Sequence, residues 1–313
     1  MKNVKNNDIN TVSDDLDKDI SWDMENIKEY DLKNENEKEH ITKKDQQRID
    51  KEYQKKIVER KKKFLESLKT ENEVFDKRTL MNLYNLLVGK HVDELSGIIN
   101  SGKEAVVFRA EGTDSETGEL EEYAVKVYRV SNCDFKTMWK YIQGDPRFHL
   151  KRSSTRQIIN AWVEKEFRNL LRAGDYINTP FAILKRENVL LMELICDEDG
   201  NPCPRLKDCK VDYEKFYAQI RDDIKTLYQD AKLVHGDLSE YNILVQDEEP
   251  VYIDFSQGVI SQHPLSKTLL IRDIKNVCNF FKRKGVKTDY QEFYKHVTGS
   301  ELHLLDEELA KNY

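Results

Sequence analysis

Apolar positions are sparse at the start of the chain and periodic later on. Residues 1–40 are dominated by Asn, Asp, Glu and Lys, with few large apolar side chains. Such a segment cannot bury enough apolar surface to offset the entropy of ordering it, so a disordered, charged extension is expected there. From Lys43 the composition turns basic, and Ile49, Tyr53, Ile57, Phe64, Leu65 and Leu68 recur at roughly helical intervals. This predicts a basic helical extension over 41–74, docked by a thin apolar stripe. Lys61, Lys62 and Lys63 open a second reading, an RNA-binding surface, but a run of charge is more often a solvated helix face.

Globular patterning begins near Phe75. Leu80, Leu83, Leu86 and Leu87 mark a helix that stops at Gly89, a suitable C-cap. Strand-like runs at 95–100 and 105–110 flank a turn at Ser101-Gly102, and a third follows at 123–130 after a Gly-bounded loop over 112–118. The stretch 131–155 is polar and mixed, with Lys136, Lys140, Arg147, Lys151 and Arg152, and is expected to be a mobile loop. A helix is predicted over 158–173, then strands at 181–184 and 189–194. Beyond Cys196 the period becomes mainly helical, over 213–231, 265–284 and 289–296. Two short strands, 243–245 and 251–253, interrupt it. A strand-rich first half holding one helix, then a helical second half, is the pattern of a two-lobed protein-kinase-like α+β fold. The lobes are placed at 75–195 and 196–313.

The bulk numbers narrow this picture. A chain of 313 residues accommodates one two-lobed catalytic domain plus an extension, or two ordinary domains. A net charge of -7 excludes a generic nucleic-acid binder, though local basic stretches can still meet phosphate. The five cysteines are odd in number, and Cys196, Cys203 and Cys209 lack the C-x₂-C spacing of a zinc site. They read as free thiols in a reducing compartment. No apolar run approaches the roughly 20 residues of a membrane span, and the N-terminus has no apolar signal core. A soluble, intracellular protein is expected.

The chemistry is concentrated in one stretch. Val234-His235-Gly236-Asp237-Leu238-Ser239-Glu240-Tyr241-Asn242 is an H-x-D-x-x-x-x-N segment, followed by Val251-Tyr252-Ile253-Asp254-Phe255. Phosphoryl transfer asks a protein mainly for positioning and for cations over crowded phosphate oxygens. Mg²⁺ takes hard oxygen ligands, which Asn242 and Asp254 supply from neighbouring loops. Asp237 is placed to orient an attacking hydroxyl or water and accept its proton. Singly, Asp and Asn are common turn formers, but two such loops at this spacing, flanked by apolar strands, make coincidence a poor explanation.

Upstream features fall in the matching order. Lys126 lies in the apolar run Tyr123-Ala124-Val125-Lys126-Val127, where a lysine needs a charged partner. ATP phosphates and a helix carboxylate answer that need. Glu166 is the expected carboxylate, with Glu164 the fallback on another side of the helix. Asn100-Ser101-Gly102-Lys103-Glu104-Ala105 stands where kinases carry a phosphate-covering loop, so Ser101 and Lys103 are expected at ATP. It lacks G-x-G-x-x-G, and a plain Gly turn between strands is the bland alternative. At the lobe junction, backbone groups of Glu193 and Ile195 are expected to meet adenine.

Ser101-Gly102-Lys103-Glu104-Ala105, the stretch 162–170, 234–242 and Ile253-Asp254 resemble the RIO family of atypical kinases. Phe75-Asp76-Lys77-Arg78-Thr79-Leu80 and the late Arg272-Asp273-Ile274-Lys275-Asn276-Val277 fit it too. The resemblance covers about 75–296, and Asp-Leu-Ser-Glu-Tyr-Asn is similar to the first RIO subfamily. It implies a trimmed kinase without an activation segment, in keeping with the short stretch 256–264 before the next helix. It also implies an ATP- and Mg²⁺-dependent kinase or ATPase, acting in cytoplasmic maturation of the small ribosomal subunit precursor. Asp254 would then also carry a transient aspartyl-phosphate. Two departures stand out. Asn100-Ser101 replaces a common Ser-Thr. Gly236, a permissive residue, stands where many eukaryotic members have Ala, and no effect on mechanism is expected. The competing readings are a conventional protein kinase, a small-molecule kinase of aminoglycoside or choline type, and a catalytically dead scaffold.

Overall fold

Buried and part-buried positions alternate along β2 (Ala105–Thr113), as a strand with one covered face requires. The structure, a computed structural model, describes residues 75–303 except 90, 114–118, 132 and 151–153, together with Lys51 and Asp306. The extensions predicted over 1–40 and 41–74 lie outside the described residues, Lys51 apart. The chain divides into two compact units, Met1–Glu94 and Leu95–Tyr313. The helix predicted to stop at Gly89 lies in the first of them.

That helix, α1 (Lys77–Val88), is the described element of the first unit. Asp76 caps it, its carboxylate accepting from the amides of Arg78 at 3.0 Å and Thr79 at 3.1 Å. Leu83, Tyr84, Leu86 and Leu87 are its buried face, and Gly89 closes it by donating its N–H to the Asn85 carbonyl.

The second unit opens with a five-stranded sheet in the order β1-β2-β3-β5-β4. Its strands are β1 (Glu94–Ser101), β2, β3 (Leu120–Tyr128), β4 (Ala182–Arg186) and β5 (Val189–Glu193). The central strand β3 is buried continuously from Ala124 to Tyr128, so both of its faces are covered. Helix α3 (Thr155–Gly174) starts in a capping box between Ser154 and Gln157 and buries Ile159, Trp162, Val163 and Leu170. Each such side chain removed from water contributes about 1.5–3 kcal/mol.

Where a mobile loop is expected over 131–155, the structure has helix α2 (Phe135–Gln143). Asp134 caps it, accepting from the Thr137 amide at 3.1 Å and hydroxyl at 2.8 Å. Met138, Tyr141 and Ile142 form its buried face. Exposed lysines at 136 and 140 hide that helical spacing in a sequence window.

The helical half contains α4 (Tyr213–Gln229), α5 (Ser266–Arg283) and α6 (Tyr290–Thr298). Tyr217 joins them, its ring 5.4 Å from that of Phe281 and 5.8 Å from that of Phe293. Two small antiparallel pairs cover this core: β7 (Ile243–Gln246) with β8 (Glu249–Tyr252), and β6 (Leu233–Val234) with β9 (Val259–Ile260). Asp247 and Glu248 join β7 to β8 with φ of 49° and 60°, the left-handed pair that a two-residue hairpin demands. All five cysteines are free thiols. Among the described residues no helix is long and apolar enough to cross a membrane.

Candidate active site

Lys126 sits in the buried run of β3, where an unpaired ammonium would be costly. Its Nζ lies 2.7 Å from Glu166 Oε1 on α3 and 3.0 Å from Asp254 Oδ1. The other Glu166 oxygen accepts from the Tyr128 hydroxyl. Glu164, the fallback, faces a different way and pairs with Arg168 and Lys185. Burial opposes the Lys126 charge, but the carboxylates of Asp254 and Glu166 outweigh it and hold its pKa above the ordinary lysine value. Burial lifts the Glu166 pKa against the pull of Lys126.

Asp254 follows β8 with left-handed φ 64° and ψ 66°, which swings its side chain out of the strand direction. Burial favours its neutral form, yet Lys126 and the Ser256 hydroxyl, 2.7 Å from Oδ1, bring its pKa down to about 2. Lys126 and Ser256 both meet Oδ1, so Oδ2 is the oxygen left for a ligand.

The 235–242 loop leaves β6 at Val234. His235 is buried, its ring centroid 4.6 Å from that of Phe255. Its Nδ1 faces the Asp237 amide at 3.3 Å, which assigns the proton to Nε2, 3.0 Å from the Ile253 carbonyl. Burial brings its pKa down to about 4, so the ring is a neutral strut between the two loops. Helix α5 supports the loop from below. Asp273 accepts from the amides of Gly236 at 2.7 Å and Leu238 at 2.9 Å, and Arg272 donates to the Gly236 carbonyl. Asn242 Nδ2 donates to the Asp237 carbonyl at 2.8 Å and to its Oδ2 at 3.4 Å, which leaves the amide oxygen of Asn242 for a ligand. Burial, helped by the charge of Asp254, lifts the Asp237 pKa to about 6.

Gly236 has no room for a side chain. Its φ is 77°, and a Cβ there would stand 2.7 Å from the Gln257 carbonyl oxygen. A change to Ala is therefore not neutral in this chain.

A cleft of about 590 Å³ lies between the sheet and the helical half, lined by Lys103, Lys126, Glu193, Ile195, Asn242 and Asp254 among others. Ala124, Met192, Leu244 and Ile253 supply apolar walls. Ser101, Glu166 and Asp237 do not line it. The Ser101 hydroxyl instead accepts from Arg129 at 3.0 Å. Glu166 is paired with Lys126, and Asp237 lies beside Asn242. At the junction, the Glu193 amide donates to Phe181 and the Ile195 carbonyl accepts from Cys203. The Glu193 carbonyl and the Ile195 amide are what the segment has left for a ligand. Sequence reading missed Ser256, Tyr128 and Asp273. Ser256 alone carried a local signal, a hydroxyl two residues past Asp254.

Among the described residues no three His, Cys, Asp or Glu side chains cluster as a metal site. The donor set is instead two hard oxygens lining the cleft. That fits Mg²⁺, which takes one or two carboxylates and completes its shell with phosphate and water.

The RIO domain family matches residues 106–293. The chain is 60% identical to the RIO-type serine/threonine-protein kinase Rio1 of Methanocaldococcus jannaschii, over 81% of this chain and 86% of the relative. It is 36% identical to the human serine/threonine-protein kinase RIO1, over 73% of this chain and 40% of that longer relative. Among solved structures, the Rio2 kinase–ADP/Mg²⁺–phosphoaspartate complex of Chaetomium thermophilum aligns with a TM-score of 0.53 at 23% identity, over 74% of this chain and 70% of that one. Rio2 kinase from the same organism aligns at a TM-score of 0.56 with 22% identity, over 76% and 74%. These likenesses at low identity concern the kinase-like fold. The chain belongs to the RIO family of atypical serine/threonine protein kinases, within the Rio1 subfamily.

Proposed function

We propose that this kinase binds ATP with Mg²⁺ in the cleft and transfers the γ-phosphoryl group at Asp237 and Asp254. The observation that carries the reading is the convergence of Lys126, Asn242 and Asp254 on one cleft. Lys126, oriented by Glu166, meets the phosphates. Asn242 and the open oxygen of Asp254 hold Mg²⁺, which neutralises charge on the phosphate oxygens when bound. The Glu193 carbonyl and the Ile195 amide address adenine. Lys103 and the loop around Gly102 cover the phosphates. Ser101 contributes through the loop backbone, since its hydroxyl is engaged by Arg129.

The acceptor is either a hydroxyl or Asp254 itself. In the second case a carboxylate oxygen of Asp254 bonds to the γ-phosphorus as the bond to the ADP oxygen breaks. Water, deprotonated by Asp237, then attacks the acyl phosphate and regenerates the carboxylate. An aspartate held ionised to a pKa of about 2 suits the first step, and a carboxyl lifted to about 6 suits the second. The Rio2 kinase crystallised as a phosphoaspartate complex supports an aspartyl acceptor. So does the short link of one 3₁₀ turn and β9 between Asp254 and α5, too little chain for a peptide-docking activation segment. Resemblance to the subfamily supports a cytoplasmic role in maturing the small ribosomal subunit precursor. ATP binding would favour the precursor-bound state and hydrolysis its release.

The test uses the purified full chain. Asp254→Ala is expected to abolish Mg²⁺-dependent turnover. Asp237→Ala is expected to keep nucleotide binding and slow turnover about 10²–10⁴-fold. Acid quenching should trap phosphate on Asp254. Label found only on an added protein would remove the aspartyl step. Co-sedimentation with small-subunit precursors, prolonged in the Asp237 variant, tests the assembly role.

A further inference from the structure

Behind the cleft, α3 turns two more polar side chains inward, neither of them used by the chemistry above. Lys165 and Asn169 are both 0% exposed and sit four residues apart, on one helix face. Lys165 Nζ donates to the Ser256 carbonyl at 2.8 Å. Asn169 Nδ2 donates to the carbonyls of Phe255 at 3.0 Å and Gly258 at 2.8 Å. All three acceptors belong to the single turn that follows Asp254.

The orientation of Asn169 is itself fixed. Arg147 donates to Asn169 Oδ1 at 2.9 Å, which turns the Asn169 NH₂ group towards the turn. Arg147 is in turn paired with the buried Asp145 at 2.6 Å. From α2, the Tyr141 hydroxyl reaches Gln257 Oε1 in the same turn at 2.9 Å. The rings of Trp162 and Tyr141 flank the Lys165 ammonium, with centroids 5.0 and 5.5 Å away.

Simple core filling does not account for this set. A Met or Leu at 165 would occupy the space without burying a polar group. Instead the donors of two fully buried side chains go to one turn of backbone. That turn begins at a non-glycine residue in left-handed geometry, which persists only where its surroundings over-determine it.

We propose that Lys165 and Asn169, locked by Arg147, are positioning residues that clamp the turn after Asp254 and so aim its carboxylate into the cleft. The proposal rests on the reading of Asp254 as a Mg²⁺ ligand. It also gives the 135–148 segment a task, since Tyr141, Asp145 and Arg147 form the outer half of the clamp.

The test compares the wild type with Lys165→Met and with Arg147→Gln, a milder change. ADP binding is titrated with and without Mg²⁺, and amide exchange is followed over 254–258 in the ligand-free protein. Loss of the buried hydrogen bond to the Ser256 carbonyl is expected to raise the Mg²⁺ concentration for half-maximal ADP binding about tenfold in Lys165→Met. Metal-free ADP affinity should stay within about twofold, because Lys165 does not line the cleft. Amides over 254–258 should exchange faster, with those of α6 unchanged. Val297→Ala, a cavity on α6, controls for lost stability and should leave the Mg²⁺ requirement where it was.

Equal loss of ADP affinity with and without Mg²⁺, or a control that shifts the Mg²⁺ requirement as far, overturns the clamp. If Lys165→Met does not fold, Arg147→Gln decides by the same criteria. A wild type whose ADP binding ignores Mg²⁺ removes the Asp254 reading and the clamp with it. A Mg²⁺-dependent wild type with unchanged variants removes the clamp alone.

Discussion

At Gly236 the backbone conformation and the neighbouring loop both exclude a side chain. Left-handed φ costs an L-residue about 1–2 kcal/mol, and the Gln257 carbonyl stands where a Cβ would go. Gly236→Ala should lower the urea midpoint accordingly. It should also reduce turnover by more than the unfolded fraction explains, because the displaced loop carries Asp237. Asp223 makes a different point. It accepts from the Tyr252 hydroxyl at 2.7 Å, and burial lifts its pKa to about 6, with Asp222 and Glu249 adding to the rise. The folded state then holds a proton that the unfolded chain, with its ordinary carboxylate, has released. Stability from this group is present below the ordinary value of 3.8 and is lost as pH rises to about 6. Asp223→Asn should therefore gain on the wild type between pH 5 and pH 7.5, by on the order of 1 kcal/mol after solvent screening. Thermal melts at the two pH values check the sign, and a gap that narrows with rising pH would refute it.

Elements with a strong period were legible, and those with weak or very short ones were not. The helix predicted over 158–173 is α3, extended by a turn because Ser154 and Gln157 close a capping box. Ser154→Ala should cost about 1 kcal/mol, read as a lower denaturation midpoint, with the Mg²⁺ requirement untouched. Helix α2 was missed because its apolar face is narrow and interleaved with lysines, although Asp134 is a good cap. Strands β6 and β9 are two residues each and exist only by pairing with each other from opposite ends of the 235–258 stretch. No local window encodes such a pair.

For the whole molecule, the nucleotide is the reporter. A ligand that binds only the folded state at a hundred times its Kd adds about 2.7 kcal/mol to stability. ATP with Mg²⁺ should raise the melting temperature, and EDTA should remove most of that gain. Asp254→Ala should retain the metal-free increment and lose the Mg²⁺ increment. An EDTA-insensitive shift in the wild type would count against the metal reading. What the sequence determined by itself was local. Hydrophobic periods set most helices and strands, and the spacing of Asp237 and Asn242 within one loop brought those side chains within 3.4 Å. The short hairpin β7–β8 then returned Asp254 beside them. Tertiary structure decided the rest. Lys126 meets Asp254 across 128 positions of sequence, and Lys165 meets Ser256 across 91. Whether Glu166 or Glu164 faced Lys126, and whether Lys165 was core or surface, depended on how α3 rotates against the sheet. That rotation is set by the packing of Trp162, Val163 and Leu170, a property of the assembled core that no stretch of chain carries alone.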